Sequence, residues 1–560
     1  MRVLGVNAVF HDPAAALVVD GQVVAAAEEE RFNRRKHGKS NVAFAAWELP
    51  VQAATWCLRQ AGLSAGELDA VAYSYDPRLA PPASDDVTAD GWEGLRTLYA
   101  RRAPLFLRSA LPGLDPQRVV FVPHHVAHAA SAHLAAPWRS SSVLVLDGRG
   151  ETASHLAGHA VDGELQVLAA QQLPHSLGLL YEALTEHLGF RRSCDEYKVM
   201  AMASYGQPRF LDAFRELMVA TGDGGFVTEP VDWERFAPQA RPLTPQTPPA
   251  GGDPNWTAAH ADLAASVQRR LEEVLLELAG WLHARTGDRH LTMAGGVALN
   301  CVANSRLLEQ GPFERIWVQP AAGDAGTALG GALHVARALG DEVQPMATAA
   351  LGRGWSDEEL AAWLTTADVP FEQPGDIADA VAGLVAANAV VAWFQGRAEY
   401  GPRALGHRSL LADARQPDNV KRLNDVKGRE QFRPIAPMVL AEHAGEIFEG
   451  GPLPSPYMLF THRVRPEWIE RIPAVVHVDG TARIQTVDRG SEPLVAAMLD
   501  GVQRRTGVPV VVNTSLNTAG RPMVDDPRDA LECFGSSPID ALAVGPFLVR
   551  RRSLFAGGGR

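Results

Sequence analysis

The chain has 560 residues, of which 46% are apolar and 21% are charged, and its formal net charge is −13. This composition is typical of a globular protein, and at roughly 150 residues per domain the length suggests about three or four structural units. The negative charge argues against a nucleic-acid partner, because a nucleic-acid-binding face needs clustered lysine and arginine.

No stretch of the chain predicts contact with a membrane. The first residues lack the charged and then apolar run of a signal peptide. No uninterrupted apolar stretch reaches the ~18 residues that a membrane span needs. The sequence contains no CxxC pair, because its cysteines are the widely spaced Cys57, Cys194, Cys301 and Cys533. It therefore predicts neither a zinc cluster nor a disulfide framework. We therefore expect a cytoplasmic protein with reduced thiols.

The first 150 residues alternate predicted strands with a predicted helix. RVLGVN, AAALVV and QVVAAAE predict three strands, the last two joined by Asp20-Gly21, a dipeptide that favours a two-residue hairpin. Val51 to Ala61 has the pattern of a helix, whereas DAVAYS, RVVFVP and SSVLVL predict further strands. This alternation indicates an α/β fold.

The middle of the chain predicts an insertion, a long helix and a domain boundary. Residues 220–255 are rich in Gly, Pro, Thr and Asp, which indicates an irregular insertion, and Leu263 to Arg285 predicts a long amphipathic helix. HLTMAGGVALN and IWVQPAAGDAGTALGG each predict a strand, a glycine-rich turn and a helix. The loop-like run near residues 341–351 divides the chain into domains 1–345 and 346–560, with a second α/β unit expected from VVAWFQG onward.

Four histidines lie in one short segment, FVPHHVAHAASAH. The alanines favour a helix, and a helix places His124 and His128 on the same face, one turn apart. Two imidazoles on one face are half of a metal site, although histidines that only form hydrogen bonds would give the same spacing. We interpret His125 and His133 as structural, because they fit no second ligand face.

Carboxylates at the ends of predicted strands could complete this site. Asp147 follows SSVLVL, and Asp324 follows IWVQP. Two imidazoles with two carboxylates would suit iron, zinc or manganese. Glycine loops at Gly295-Gly296 and Gly323 lie between a predicted strand and a helix, where backbone N–H groups can approach a phosphate. Together with Gly148 they suggest a nucleotide-binding site.

Longer motifs resemble one protein family. They are FHDPAAALVVDG, AAEEERF, HHVAHAASA, LDGRGE, SLGLLYEALT, AGGVALN, GPRALGHRS, VKGREQFRPIAP and VVNTSLN, spread over almost the whole chain. In this combination they resemble the NodU/CmcH-type O-carbamoyltransferases. The resemblance implies an N-terminal domain similar to the actin/Hsp70/sugar-kinase (ASKHA) superfamily, in the form found in tRNA threonylcarbamoyl-transfer proteins. It also implies a C-terminal YrdC-like domain, a fold that binds carbamoyl adenylates.

The resemblance assigns candidate residues in the N-terminal domain. The iron ligands of the family correspond to His124, His128, Asp147 and Asp324, which implies Fe²⁺ or another divalent metal. The histidine of the first hairpin corresponds to His11, and we expect it, beside Asp12, to be the base for an acceptor hydroxyl. Nucleotide contacts are expected from Lys198, Gly295, Gly296 and Asn300. Relatives commonly have Gly-Lys-Val-Met-Gly-Leu-Ala where this chain has YKVMAMA, so lysine is kept and two glycines are replaced.

A cationic site is expected in the C-terminal domain. Arginine and lysine in glycine- and proline-rich loops suit phosphate and carbamate oxygens. Carry-over from the family selects Arg403, Lys427, Arg433 and Arg483 as contacts for carbamoyl phosphate and ATP. The loop expected after VPVVVN adds neutral hydrogen bonds from Asn513 and Ser515. We expect the remaining arginines of these segments, Arg397, Arg408 and Arg429, to pair with surface acids.

The predicted reaction has two steps. Carbamoyl phosphate and ATP, with Mg²⁺ on the triphosphate, give carbamoyl adenylate, and the carbamoyl group then passes to a hydroxyl of a small molecule. The family resemblance implies that this acceptor is a secondary metabolite. The resemblance also suggests a homodimer. Residues 76–111 and 220–255 are expected to shape the acceptor pocket.

Two other functions fit part of the pattern. A tRNA threonylcarbamoyl transferase would share the N-terminal fold and the metal pair, but the segment with GPRALG and the lack of a basic surface argue against it. A sugar kinase or a nucleotide-dependent assembly factor of the actin-like class would need one nucleotide site and no paired histidines.

Overall fold

The computed structural model describes residues 1–38, 48–81, 91–240 and 256–551, without the side chains of residues 91–93. These residues form two compact units, the first ending at Ala347 and the second beginning at Thr348. Parts of the expected acceptor pocket, residues 82–90 and 241–255, lie outside the described residues. No helix in the described ranges is long and apolar enough to cross a bilayer.

A five-stranded sheet opens the first unit. Its strands are β1 (Arg2–Asn7), β2 (Ala14–Val19), β3 (Gln22–Glu28), β4 (Ala70–Tyr73) and β5 (Val119–Phe121). The first three are antiparallel neighbours, whereas β4 and β5 continue the sheet parallel to β1. The predicted hairpin is confirmed, because Asp20 and Gly21 have φ of 50° and 76°, as such a two-residue turn requires.

The second sheet of the first unit repeats this topology. Its strands, with one separate pair between them, are β6 (Ser140–Leu146), β7 (Ala153–Val161), β8 (Glu164–Gln172), the pair β9 (Met218–Ala220) and β10 (Phe226–Thr228), β11 (His290–Ala294) and β12 (Arg315–Val318). Strands β6, β7 and β8 are antiparallel, and β11 and β12 run parallel to β6. The strand orders β3-β2-β1-β4-β5 and β8-β7-β6-β11-β12 therefore correspond one to one.

Helices connect and cover these sheets. They are α1 (Glu30–Asn33), α2 (Val51–Gln60), α3 (Gly91–Ala110), α4 (His124–His133), α5 (Leu177–His187), α6 (Glu196–Ala203), α7 (Leu211–Leu217), α8 (Ala258–Thr286), α9 (Cys301–Gln310) and α10 (Ala325–Ala338). The long predicted helix is α8, which begins five residues earlier than the pattern indicated. Residues 220–255 are not wholly irregular, because β10 pairs with β9.

Two glycines let α10 pack directly against the first sheet and α4. A Cβ atom on Gly5 of β1 would lie 1.8 Å from the carbonyl oxygen of Ala328. A Cβ atom on Gly330 would lie 1.8 Å from the carbonyl oxygen of Ala127, which is on α4 between His124 and His128. Backbone can approach this closely only where no side chain intervenes. The packing of α10 therefore fixes the position of the histidine helix.

The second unit is built on a seven-stranded mixed sheet and a three-stranded sheet. Its strands are β13 (Val391–Phe394), β14 (Arg408–Asp413), β15 (Ala436–Leu440), β16 (Phe448–Glu449), β17 (His462–Val464), β18 (Thr481–Ala482), β19 (Gln485–Val487), β20 (Val510–Ser515), β21 (Ala541–Val544) and β22 (Phe547–Arg550). The large sheet has the order β19-β15-β20-β14-β13-β21-β22. The mixed α/β class predicted for the chain is thus confirmed in both units.

Helices of the second unit correct one expectation. They are α11 (Asp357–Thr366), α12 (Ile377–Ala386), α13 (Asn419–Lys427), α14 (Ala441–Ile447), α15 (Pro466–Ile469), α16 (Pro493–Thr506) and α17 (Pro527–Ser536). Helices α11 and α12 precede VVAWFQG, so the unit does not begin at that strand. Helix α11 starts at a capping box, in which Ser356 and Glu359 bond each other's backbone N–H groups.

We expect Gly330→Ala to destabilise the first unit. The added methyl group has no space against α4, and such overpacking costs typically ~1–3 kcal/mol. Gly280→Ala is the matched control, because Gly280 is an exposed glycine of α8 with nothing within 4 Å of its Cβ position. The control should gain up to ~1 kcal/mol from helix propensity. Urea unfolding followed by tryptophan fluorescence compares them, and equal midpoints for the two variants would contradict the close packing.

Candidate functional site

Residues of interest in the first unit follow the carboxyl ends of its parallel strands. In the first sheet β1, β4 and β5 are parallel, and in the second sheet β6, β11 and β12 are parallel. The carboxyl ends of parallel strands meet at one edge of a sheet, where α/β proteins commonly place binding sites. The residues that follow these strands are His11, Ser74 and His124 in the first sheet and Asp147, Gly295 and Asp324 in the second.

The four predicted metal ligands come together in the structure. His124 Nε2 lies 3.3 Å from Asp147 Oδ2 and 3.7 Å from Asp324 Oδ1. His128 Nε2 lies 3.7 Å and 3.5 Å from the same two oxygens. Ligand atoms about 2.1 Å from one ion at tetrahedral angles are about 3.4 Å apart, so the observed separations suit a single ion.

Hydrogen bonds orient the ligands. His124 Nδ1 lies 3.2 Å from the carbonyl oxygen of Ser74, to which it can donate, leaving Nε2 for a metal. Asp147 Oδ1 accepts from the backbone N–H of Gly296 at 3.0 Å, and Asp324 Oδ2 accepts from that of His11 at 3.1 Å. Each carboxylate therefore keeps its other oxygen turned to the imidazoles.

His128 gives a second indication of a metal. Its side chain is fully buried, and neither Nδ1 nor Nε2 has a hydrogen-bond partner among the described residues. A buried polar atom without a partner costs about 1–3 kcal/mol. A divalent ion bound to Nε2 would satisfy that nitrogen, so the donor set and its geometry fit a metal.

The charges of the buried imidazoles and carboxylates affect one another. Burial disfavours the charged form of His124, but its contacts with Asp147 and Asp324 outweigh burial and raise its pKa well above the usual range. Burial likewise opposes ionisation of the two carboxyl groups, yet the imidazoles hold the pKa of both Asp147 and Asp324 below its usual range. The site thus favours ionised carboxylates and a neighbouring positive charge, which a protonated His124 or a bound cation would supply.

The turn after β1 carries His11 and Asp12 in a constrained conformation. Phe10 and Asp12 have φ of 64° and 46°, a left-handed conformation that non-glycine residues rarely adopt. The buried amide of Asn7 donates to the carbonyl oxygens of His11 and Asp12 at 2.7 and 2.9 Å. Such strain persists only where surrounding contacts impose it, and it is concentrated at functional sites.

Asp12 binds two imidazoles. Its carboxylate oxygens lie 2.9 Å from Nδ1 of His11 and 2.9 Å from Nδ1 of His37. Burial alone would raise the pKa of Asp12, but the two imidazoles hold it well below its usual range. Residues His11, Asp12 and His37 also have metal-compatible spacing. No sequence pattern indicates His37, because it lies in the short 3-10 turn Lys36–Gly38, which carries no periodic signal.

The predicted nucleotide contacts follow β11 or lie on α6, and the side chains of Asn300 and Lys198 already have structural partners. Gly295 has φ of 91°, and a Cβ atom there would lie 2.1 Å from the carbonyl oxygen of Leu146. Asn300 caps α9 by accepting from the N–H of Ala303 at 3.1 Å. Lys198, on α6, forms an ion pair with Asp195 at 3.2 Å.

The second unit gathers its predicted cationic residues at one sheet edge. β20 runs antiparallel to β14 and β15, and β15 is parallel to β19. The end of β20 therefore lies at the same edge of the sheet as the beginnings of the other three strands. That edge holds Arg403 before β14, Arg433 before β15, Arg483 before β19, and Asn513 and Ser515 at the end of β20.

Lys427 joins this edge from the end of α13. Its Nζ donates to the hydroxyl of Ser515 at 2.9 Å. Asn513 and Ser515 lie within β20 and not in a loop after it, because both pair with β14. Asn513 is fully buried and donates to Gln485 at 2.7 Å and to the carbonyl of Ala404 at 3.0 Å. Its Oδ1 has no partner among the described residues.

The arginines expected in surface ion pairs have other environments. Arg408 is fully buried, and it donates to backbone carbonyls, among them that of Gln395 at 2.7 Å. Arg397 donates to the carbonyl of Gly352 at 2.9 Å, and Arg429 to the side chain of Asn424. The expectation of a surface pair is wrong for Arg408, whose planar guanidinium satisfies loop carbonyls in the interior.

Comparison with known proteins covers both units. A model of the carbamoyltransferase N-terminus matches residues 2–79 and 107–333, and one of the carbamoyltransferase C-terminus matches residues 382–551. The chain is 38% identical to nodulation protein NolNO of Sinorhizobium fredii, over 98% of this chain and 80% of that protein. It is 32% identical to nodulation protein U of Rhizobium tropici, over 95% of this chain and 93% of that protein. The solved structure of T. kodakarensis HypF covers 61% of this chain and 48% of its own, with 14% identity and a TM-score of 0.40.

We expect Asp324→Ala to lose metal. The change removes one of two carboxylates, and loss of even an outer partner of a metal ligand typically costs ~10–100-fold in affinity. Asp212→Ala is the control, because its carboxylate is 95% exposed on α7. Elemental analysis after dialysis measures bound metal per chain. Full metal content in the Asp324 variant would remove this residue from the ligand set.

Proposed function

Because the chain belongs to the carbamoyltransferase family, we propose that it is an ATP-dependent O-carbamoyltransferase acting on a hydroxyl of a small molecule. The family match confirms the resemblance that the motifs predicted. Carbamoyl transfer is the property shared by both family models, and the donors, the intermediate and the acceptor class are parts of the proposal.

One observation carries the proposal. The backbone N–H of His11 bonds Asp324, one of the four candidate metal ligands, while the His11 side chain bonds Asp12. An imidazole oriented by a carboxylate is therefore next to a site for a divalent cation. Acyl transfer to an alcohol needs both a base for the hydroxyl proton and positive charge near the oxygens of the donor.

Formation of the donor is assigned to the cationic edge of the second unit. Carbamoyl phosphate, water and ATP give carbamoyl adenylate, phosphate and pyrophosphate, with Mg²⁺ on the triphosphate. Arg433, Arg483 and Arg403 would hold the phosphate oxygens, and Lys427 would add a point charge. Positioning and charge neutralisation account for most of the catalysis of phosphoryl chemistry, which explains several cations at one edge.

Transfer is assigned to the first unit. A divalent metal held by His124, His128, Asp147 and Asp324, Fe²⁺ by family likeness, would supply a Lewis acid for a phosphate or carbonyl oxygen. Asp12 holds the proton of His11 on Nδ1, which leaves Nε2 to accept the proton of the acceptor hydroxyl. The glycine loop at Gly295 and Gly296, with Lys198, would hold the AMP portion.

Further expectations belong to this proposal. The duplicated sheet topology supports an actin/Hsp70/sugar-kinase-like first unit, and a YrdC-like second unit is proposed from the motifs. The proposed acceptor is a secondary metabolite. The protein is proposed to be a cytoplasmic homodimer that binds neither nucleic acid nor a membrane.

We expect His11→Asn to separate the two steps. The variant should release pyrophosphate from ATP and carbamoyl phosphate at the normal rate, because that chemistry uses the second unit. Transfer to an acceptor should fall by ~10²–10⁴-fold, the usual contribution of a general base. Mass spectrometry across a panel of hydroxylated natural products measures transfer as the gain of one carbamoyl group. Normal transfer by the variant would refute the assignment of His11.

Arg433→Ala should have the opposite effect. Loss of a preorganised contact to the developing charge should slow pyrophosphate release by about 10²–10³-fold. Transfer from supplied carbamoyl adenylate should continue at the normal rate. Arg528→Ala is the control, because its side chain is 75% exposed on α17. If both half-reactions fall together in the Arg433 variant, the division of labour between the units is wrong.

A further inference from the structure

Cys194 ends a chain of hydrogen bonds that the four metal ligands do not use. Its sulfur lies 2.9 Å from Nε2 of His37, and Nδ1 of His37 lies 2.9 Å from Oδ1 of Asp12. A nucleophile within hydrogen-bonding distance of a base that a third group orients is the signature of covalent catalysis. Cysteine, imidazole and carboxylate here have the arrangement of such a triad.

The protonation states suit a thiol that a base must activate. Asp12 accepts from Nδ1 of His37, which leaves Nε2 to accept the thiol proton. Burial lowers the pKa of His37, so its ring is neutral near neutral pH and can act as a base. Burial also raises the pKa of the Cys194 thiol to about 11, so the resting group is a thiol.

Neighbouring groups favour reaction at this sulfur. Arg191 Nη2 lies 3.2 Å from Cys194 Sγ, where its charge would stabilise negative charge that develops on sulfur. Cys194 is partly buried and not sealed in the core. Lys198, a proposed phosphate contact, follows it on α6, and the His11 and His37 rings are 4.3 Å apart. The thiol is therefore close to the groups assigned to transfer.

We propose that Cys194 carries the carbamoyl group before the acceptor hydroxyl receives it. This inference rests on the proposed use of carbamoyl adenylate. Sulfur bonds the carbamoyl carbon, the bond from that carbon to the AMP phosphate oxygen breaks, AMP leaves, and the thiol proton passes to Nε2 of His37. The acceptor oxygen then attacks the same carbon and the carbon–sulfur bond breaks. The sulfur takes back the proton from His37, and the hydroxyl proton passes to His11.

This step gives the two imidazoles on Asp12 separate tasks. His37 serves the thiol and His11 serves the acceptor, and one carboxylate orients both rings. A transfer that went directly from the adenylate to the acceptor would need only one of them. The inference thereby accounts for His37 and Cys194, which the proposed function leaves unused.

An acceptor-free labelling experiment tests the step. The full-length enzyme is mixed with ATP and radiolabelled carbamoyl phosphate, quenched in acid, and mapped by peptide mass spectrometry. We expect ATP-dependent label on Cys194, approaching one carbamoyl group per chain, together with a burst of AMP. Carbamoyl phosphate also releases cyanate, which modifies thiols, so label that forms equally without ATP would overturn the proposal.

Variants test whether the label depends on the Cys194 thiol and on His37 as its base. Cys194→Ala and Cys194→Ser should lose the thiol-bound label and the AMP burst, and His37→Asn should slow labelling by ~10²–10⁴-fold. Cys57→Ala is the matched control, because Cys57 is a buried core thiol of the same unit. Metal content reports that each variant is folded in the first unit. A burst of AMP that persists in Cys194→Ala would overturn the proposal.

Failure of this step is distinguishable from failure of the proposed function. Release of pyrophosphate without label on Cys194 would overturn the role of Cys194 as a nucleophile. It would leave the proposed formation of carbamoyl adenylate unaffected. Absence of pyrophosphate would overturn the proposed donor chemistry, and synthetic carbamoyl adenylate would then still test the thiol. A second equivalent of zinc that disappears in Cys194→Ala would show that His37 and Cys194 bind metal, which would also overturn the proposal.

Discussion

The burial of two carboxylates beside two imidazoles is the constraint on which the first unit depends. Asp147 and Asp324 are both buried, and separating such charges from water costs several kcal/mol per ion unless positive charge and hydrogen bonds compensate. The structure supplies backbone N–H groups to both carboxylates and imidazoles to their remaining oxygens. This requirement explains why the turns after β1, β6, β11 and β12 meet at the two carboxylates.

The duplicated topology meets that requirement. Each sheet brings the carboxyl ends of three parallel strands to an edge, and α4 carries both histidines from one sheet toward the other. Close backbone packing at Gly5 and Gly330 fixes α10, whose first residue follows Asp324, against α4. Ser74 links the two sheets further, because its hydroxyl lies 2.8 Å from that of Thr327 and 3.3 Å from Oδ1 of Asn7. The geometry of the centre is therefore a property of two sheets and not of one loop.

Much of this arrangement could be predicted from sequence, for physical reasons. The spacing of His124 and His128 predicts a shared helical face, and the position of Asp147 and Asp324 after apolar runs predicts strand ends. His37 and Cys194 could not be found in this way, because they lie in irregular segments whose approach depends on tertiary packing. Sequence pattern predicts a loop at Asn513 and Ser515, because it does not show that β14 and β15 extend the pairing of β20.

Arg408 illustrates a second limit. Charge alone suggests exposure, yet this guanidinium is fully buried over the ring of Phe394, 3.8 Å from its centroid. Arginine tolerates such sites because its fork matches carbonyls and its flat face stacks on aromatic rings. Nothing in the local sequence distinguishes Arg408 from Arg403, five residues earlier. Only the pairing of β14 within the sheet shows that Arg408 is the buried one.

The link between His11 and Asp324 spans 313 positions, which has a consequence for biosynthesis. A ribosome releases the first hairpin and the histidine helix well before β12, so the emerging polypeptide displays imidazoles without their full set of carboxylates. Closing so long a loop is among the slower events in folding. Occupation of this site by a divalent ion would therefore have to await completion of the whole first unit, and bound metal would mark that unit as fully assembled.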